Sequence, residues 1–92
     1  MRLDVFLKLS RLIMRRTLAK EFAQKGLIKI NGATAKASHA VKTNDEIEIR
    51  KYDQITTARV LRVPQKKQVS KKDSKSLYEI ISEEITENVL LD

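Results

Sequence analysis

The sequence predicts an α+β fold with two packed N-terminal helices, a small and mainly antiparallel sheet, a flexible linker and a short C-terminal helix. Three observations lead there. Apolar residues recur at helical spacing as far as Ala23, the pattern changes to period two after Gly26, and Asn-Gly and Asn-Asp pairs then punctuate the chain as turns. The expected organisation is a folded unit over residues 1–64, a lysine-rich linker over 65–76 and an acidic amphipathic tail over 77–92.

The first helix is expected from Leu3 to Leu9, because Leu3, Phe6 and Leu7 stand at i, i+3 and i+4 and share one side of a turn. Ser10 to Met14 form a connection. A second helix follows from about Arg15 to Lys25, with Leu18, Ala19, Phe22 and Ala23 as its apolar stripe, and Gly26 stops it by supplying a positive φ. Leu27, Ile28 and Ile30 suit a short strand, and Asn31-Gly32 is a hairpin pair. Residues Ala33 to Ala40, small and polar with Lys36, Ser38 and His39, cross back over the sheet. After a turn at Asn44-Asp45, Glu46 to Arg50 alternates polar and apolar residues as a half-buried strand does. Its partner is expected over Thr56 to Val63, with a turn near Tyr52-Asp53-Gln54 and an end at Pro64.

Residues 65–76 hold five lysines, one apolar residue and no glycine, too little apolar surface to offset the entropy of ordering them. Beyond them Leu77, Ile80, Ile81 and Ile85 fall on one helical face, with Glu79, Glu83 and Glu87 elsewhere. A helix this short is marginal alone and needs a surface to dock on.

Ninety-two residues and 10.6 kDa point to one domain and argue against a multi-domain enzyme. With two Phe, two Tyr and no Trp, the core must be aliphatic. There is no cysteine, which removes disulfides, thiolate metal sites and cysteine nucleophiles. Asp4 and Lys8 interrupt any signal-peptide-like apolar stretch, and the longest apolar runs are far too short to span a bilayer. The expectation is a cytoplasmic monomer with no membrane partner.

The net charge is +7, and it is unevenly placed: residues 1–50 and 51–75 carry +6 each, whereas 76–92 carry −5. An acidic partner for the upstream part follows. Enzymatic readings find little support. The single histidine, His39, sits among small polar residues as a solvated or hydrogen-bonded side chain, and Gly26 and Gly32 are both explained by turns rather than by a phosphate loop. No catalytic residue, metal or cofactor is expected.

Nucleic acid is the better fit. Arg15, Arg16 and Lys20 combine guanidinium forks with the N–H groups at the start of the second helix, and both favour phosphate. Arg2, Lys8 and Arg11 widen this face if the helices pack as a hairpin, and Lys36 and Lys42 extend it. With so few rings, recognition rests on backbone and shape, which suits structured RNA. Neutralising about five phosphates implies a slope of log K against log salt of about −3.5 to −4.5.

Taken in order, Arg2-Leu3-Asp4-x-Phe6-Leu7, Arg15-Arg16-Thr17-x-Ala19, Gly26-x-Ile28-x-Ile30-Asn31-Gly32, Lys36-x-Ser38-x-x-Val41 and Asp45-x-Ile47 form a pattern. It resembles the S-four RNA-binding domain family over residues 1 to about 50. The resemblance implies the S-four-like (alpha-L) fold, with RNA on the helical face. Among small members of that family the chain is most similar to those of bacterial ribosome-associated quality control. That implies binding to large ribosomal subunits that carry peptidyl-tRNA, contact with large-subunit ribosomal RNA, and support of RqcH as it adds a C-terminal alanine tail. Arg2 and Arg16 carry over as the leading RNA contacts, with Arg15, Lys20 and Lys36 behind them. Asp4 either orients an arginine or forms a surface pair with Lys8. Asn44 departs from the glycine usual in the family, a substitution that a positive φ tolerates.

Two other readings remain. A heat-shock-type member of the family would bind obstructed large subunits without tailing, and the acidic tail argues against it. A pseudouridine synthase fragment carries a similar N-terminal domain, but 92 residues leave no room for its catalytic part.

Overall fold

The structure, a computed structural model, describes residues 1–85. Two helices, α1 (Leu3–Leu9) and α2 (Arg16–Gln24), precede strands β1 (Ile28–Ile30), β2 (Ala33–Thr34), β3 (Glu46–Lys51) and β4 (Gln54–Val60). A short helix α3 (Lys71–Ser74) and a 3₁₀ turn (Lys75–Leu77) then lead into β5 (Tyr78–Ile85). The five strands form one antiparallel sheet in the order β2-β1-β3-β4-β5.

The core lies between the helices and one sheet face. Leu3, Phe6 and Leu7 of α1 are fully buried, and the same cluster holds Ala19 and Ala23 of α2 with Ile28, Ile30, Ile47, Ile49 and Val60 from the sheet. Every other residue of β1 and β3 supplies it, as the pleat requires. Leu18, expected in the stripe of α2, is instead 39% exposed. The short side chains of Ala19 and Ala23 carry the buried face of that helix.

The turns follow local chemistry. Asn31 (φ 52°) and Gly32 (φ 88°) join β1 to β2 as a two-residue hairpin, in register Ile30 opposite Ala33. Asn31 also donates through Nδ2 to Asp45 Oδ1 and accepts the Glu46 N–H through Oδ1, both at 3.0 Å, so the first hairpin is tied to the start of β3. Asn44 adopts φ 77° beside it.

No side chain caps α1. Its first N–H groups, those of Leu3 and Asp4, donate to the carbonyls of His39 and Ala37 at 2.8 and 3.1 Å, and the Val41 N–H donates to Met1 C=O at 2.9 Å. The segment expected to cross the sheet therefore folds over the start of α1 and brings Lys36 there. At its other end α1 closes at Ser10, and Arg11 takes a left-handed φ of 64°. A side chain in that conformation costs about 1–2 kcal/mol that glycine would avoid.

The C-terminal part corrects the expectation. Residues 78–85 form a strand, not a helix: β5 runs along the free edge of β4, from Val60 opposite Tyr78 to Gln54 opposite Ile85. A register shift at Thr57/Ala58 leaves Ile81 as an extra residue, which breaks the period-two pattern and produces a helix-like spacing of isoleucines. Three β-branched isoleucines and the unpaired edge of β4 favour strand. Within the stretch expected as a linker, Ser70 Oγ caps α3 by accepting the Asp73 N–H at 3.1 Å, and Ser74 and Leu77 are buried. β4 ends at Val60, before Pro64, because the Leu61 N–H turns to Leu77 C=O. The last part of the expected tail, with Glu87, lies outside the described residues.

Candidate nucleic-acid interface

Asp4 is the organising residue. It sits in the first turn of α1 with its side chain fully buried, and two arginines reach it from opposite sides of the sequence. Arg2 donates from Nε to Oδ1 at 3.1 Å and from Nη2 to Oδ2 at 3.3 Å, while Arg16, the first residue of α2, donates from Nε to Oδ2 at 3.1 Å. Burial by itself would raise the Asp4 pKa. The hydrogen bonds from Arg2 and Arg16, with the charges behind them, outweigh burial and hold the carboxyl below its ordinary 3.8.

The arginines are only half covered: their side chains remain 47% and 45% exposed. Among the described residues Arg16 uses only Nε toward protein, so neither of its terminal nitrogens has a hydrogen-bond partner there. One carboxylate between two guanidinium groups leaves a net positive charge and fixes both forks in place. Such a pair suits phosphate oxygens, which accept two parallel N–H bonds. The alternative pairing of Asp4 with Lys8 is not formed among the described residues.

All eight candidate residues are exposed, but they do not form one cluster. Arg2, Lys20 and Lys36 line a single groove with Ala23, Gln24, Ala37 and Ser38. Arg16 joins this group through Asp4. Lys8 and Arg11 stand at the other end of α1 and border a different groove. Arg15, the residue before α2, borders a third depression together with Arg11. Lys42 lies in the turn before β3, where its N–H donates to Asp45 Oδ2 at 2.8 Å.

Sequence reasoning did not name Lys51 and Lys67, which border the grooves of Arg15 and Lys8. Lys67 was hidden because its stretch has no apolar periodicity to place it against α1. Among the described residues no group of three or more His, Cys, Asp or Glu side chains is arranged to hold a metal ion, and no helix is long and apolar enough to cross a membrane.

The S4 (S-four) domain family pattern matches residues 1–47, the stretch that contains α1, α2 and the first hairpin. The chain belongs to the S4 domain family. Relatives of this S4 chain include the RQC P-site tRNA stabilizing factor of Streptococcus pneumoniae, 50% identical over 90 residues that cover 97% of this chain and all of that one. The protein of the same name from Bacillus subtilis is 49% identical over 84 residues, 91% of this chain and 95% of the relative. Among solved structures, trimeric heat shock protein 15 of Vibrio cholerae superposes with a TM-score of 0.79 at 24% identity, covering 89% of this chain and 82% of that one. That likeness establishes the S4 fold.

Proposed function

We propose that this S4 protein binds large ribosomal subunits that carry peptidyl-tRNA, holding ribosomal RNA and the tRNA together so that RqcH can extend the stalled nascent chain with alanine. It works by positioning and catalyses nothing. The observation that carries the reading is the Arg2-Asp4-Arg16 cluster, in which a buried carboxylate orders two half-exposed guanidinium groups beside Lys20 and Lys36. The names of relatives aligned over nearly the whole chain support the ribosomal setting.

In this mechanism Arg2 and Arg16 grip phosphates in fixed orientation, and Lys20 and Lys36 add charge along the same groove. Lys8, Arg11, Arg15 and Lys42 extend the contact beyond it. Pre-ordering matters because an unrestrained arginine loses side-chain entropy on binding, and Asp4 removes much of that cost in advance.

The test is cryo-electron microscopy of particles purified through a tagged copy of the chain. The expected result is density on large subunits with peptidyl-tRNA in place. Density confined to intact, translating ribosomes would overturn the quality-control reading.

A further inference from the structure

Lys8 and Arg11 need a separate account, because they stand at the C-terminal end of α1, away from Arg2 and Lys36 at its start. At about 1.5 Å per residue, the two ends of this helix are about 10 Å apart. The groove there is lined by Lys8, Leu9, Arg11, Met14, Lys67 and Val69. Lys67 comes from the segment between β4 and α3, so the fold brings together cations that are remote in sequence.

Three features bear on what this groove can hold. Among the described residues none of Lys8, Arg11 and Lys67 is engaged in an ion pair, so no carboxylate neutralises the charge they bring together. Complementing the negative end of the helix dipole accounts for Lys8 and Arg11 but not for Lys67. Arg11 also occupies a backbone conformation (φ 64°) that glycine would adopt without strain. A turn alone therefore gives no reason for an arginine there. The same side chain borders a neighbouring depression with Arg15 and Lys51, so the positive charge continues toward the start of α2.

We propose that the groove between the end of α1 and residues 67–69 is a second phosphate-binding site for RNA, separate from the one ordered by Asp4. This rests on the RNA-binding reading above and deepens it: the chain grips RNA at both ends of α1. No aromatic side chain lines the groove, so it takes the sugar-phosphate backbone rather than stacked bases. Ribosomal RNA and tRNA offer the same chemistry, and the experiment separates them.

The full chain is titrated against two probes in turn, purified large ribosomal subunits and a tRNA transcript, at several salt concentrations. Three doubly reversed variants are compared: Lys8→Glu with Lys67→Glu, Lys20→Glu with Lys36→Glu, and the control Lys25→Glu with Lys29→Glu. All six side chains are exposed, so the fold is retained, and circular dichroism verifies it. The Lys8/Lys67 variant is expected to bind at least one probe about tenfold more weakly than the control and to lower the salt slope by about one or two. Loss confined to subunits assigns the site to ribosomal RNA; loss confined to the transcript assigns it to tRNA.

An equal loss in the control means a general charge effect and overturns the site. If only the Lys20/Lys36 variant weakens binding, the second site is wrong while the RNA-binding reading stands. If the unaltered chain binds neither probe, both fail. Arg11→Gly supplies an independent readout, with weaker binding expected at an unchanged or higher melting temperature; unchanged binding would remove Arg11 from the site.

Discussion

Arg16 at the start of α2 meets Asp4 in the first turn of α1 at 3.1 Å, twelve residues back along the chain. This contact joins the two helices and leaves the guanidinium group half-exposed. Under the proposed function it couples stability to RNA contact, so substitutions at it are expected to move both.

Replacing Asp4 by Asn keeps the shape but removes the charge that both arginines use. The expected cost is about 1–3 kcal/mol, in line with hydrogen bonds to charged groups. Net charge becomes more positive, so simple attraction would strengthen RNA binding. Loss of arginine order predicts the opposite, weaker co-sedimentation with large subunits together with a lower melting temperature.

The lowered Asp4 pKa sets a pH dependence of stability. A carboxyl whose folded pKa lies below its unfolded value stabilises the fold fully above the unfolded value, here near 3.8, and loses that contribution as pH falls through the folded pKa. Denaturant titrations at and below that pH should therefore show a decline that Asp4→Asn makes shallower. An identical acid profile in the variant would exclude Asp4 as the group responsible.

Arg16→Lys keeps the positive charge but lacks the Nε donor that reaches Asp4 and the two terminal nitrogens that have no hydrogen-bond partner among the described residues. A loss of about 1 kcal/mol in stability and a several-fold weaker affinity for large subunits are expected. Equal affinity in the two proteins would reduce Arg16 to a point charge.

Asn31→Ala tests the other tie in the fold. It removes two side-chain hydrogen bonds to the start of β3 and places alanine at φ 52°. A destabilisation of about 1–3 kcal/mol is expected, read by chemical denaturation, with RNA affinity of the folded protein unchanged.

On the outer sheet face, Arg59 bridges Glu46 and Glu79 at 3.2 and 3.1 Å, across three neighbouring strands. These groups are well exposed, so the bridges add little stability. They do use up a cation of the sheet, whereas Lys8, Lys20 and Lys36 on the helical side carry no such partners among the described residues.

Local patterns determined much of this protein before any coordinates. The i, i+3, i+4 spacing of Leu3, Phe6 and Leu7 specified α1, Gly26 ended α2, Asn31-Gly32 placed the hairpin, and the alternation of Glu46 to Arg50 made β3, because each depends on residues within a turn or two of one another. The exposure of the candidate cations was equally legible from charge. Only the tertiary structure decided that Asp4 serves Arg2 and Arg16 rather than Lys8, that Lys8 and Arg11 face Lys67 and not Lys36, and that residues 78–85 add a strand to β4. Those outcomes turn on partners brought together from distant parts of the chain. A buried carboxylate takes whichever cation the fold sets beside it, and a segment with ambiguous periodicity takes the form of the edge it meets.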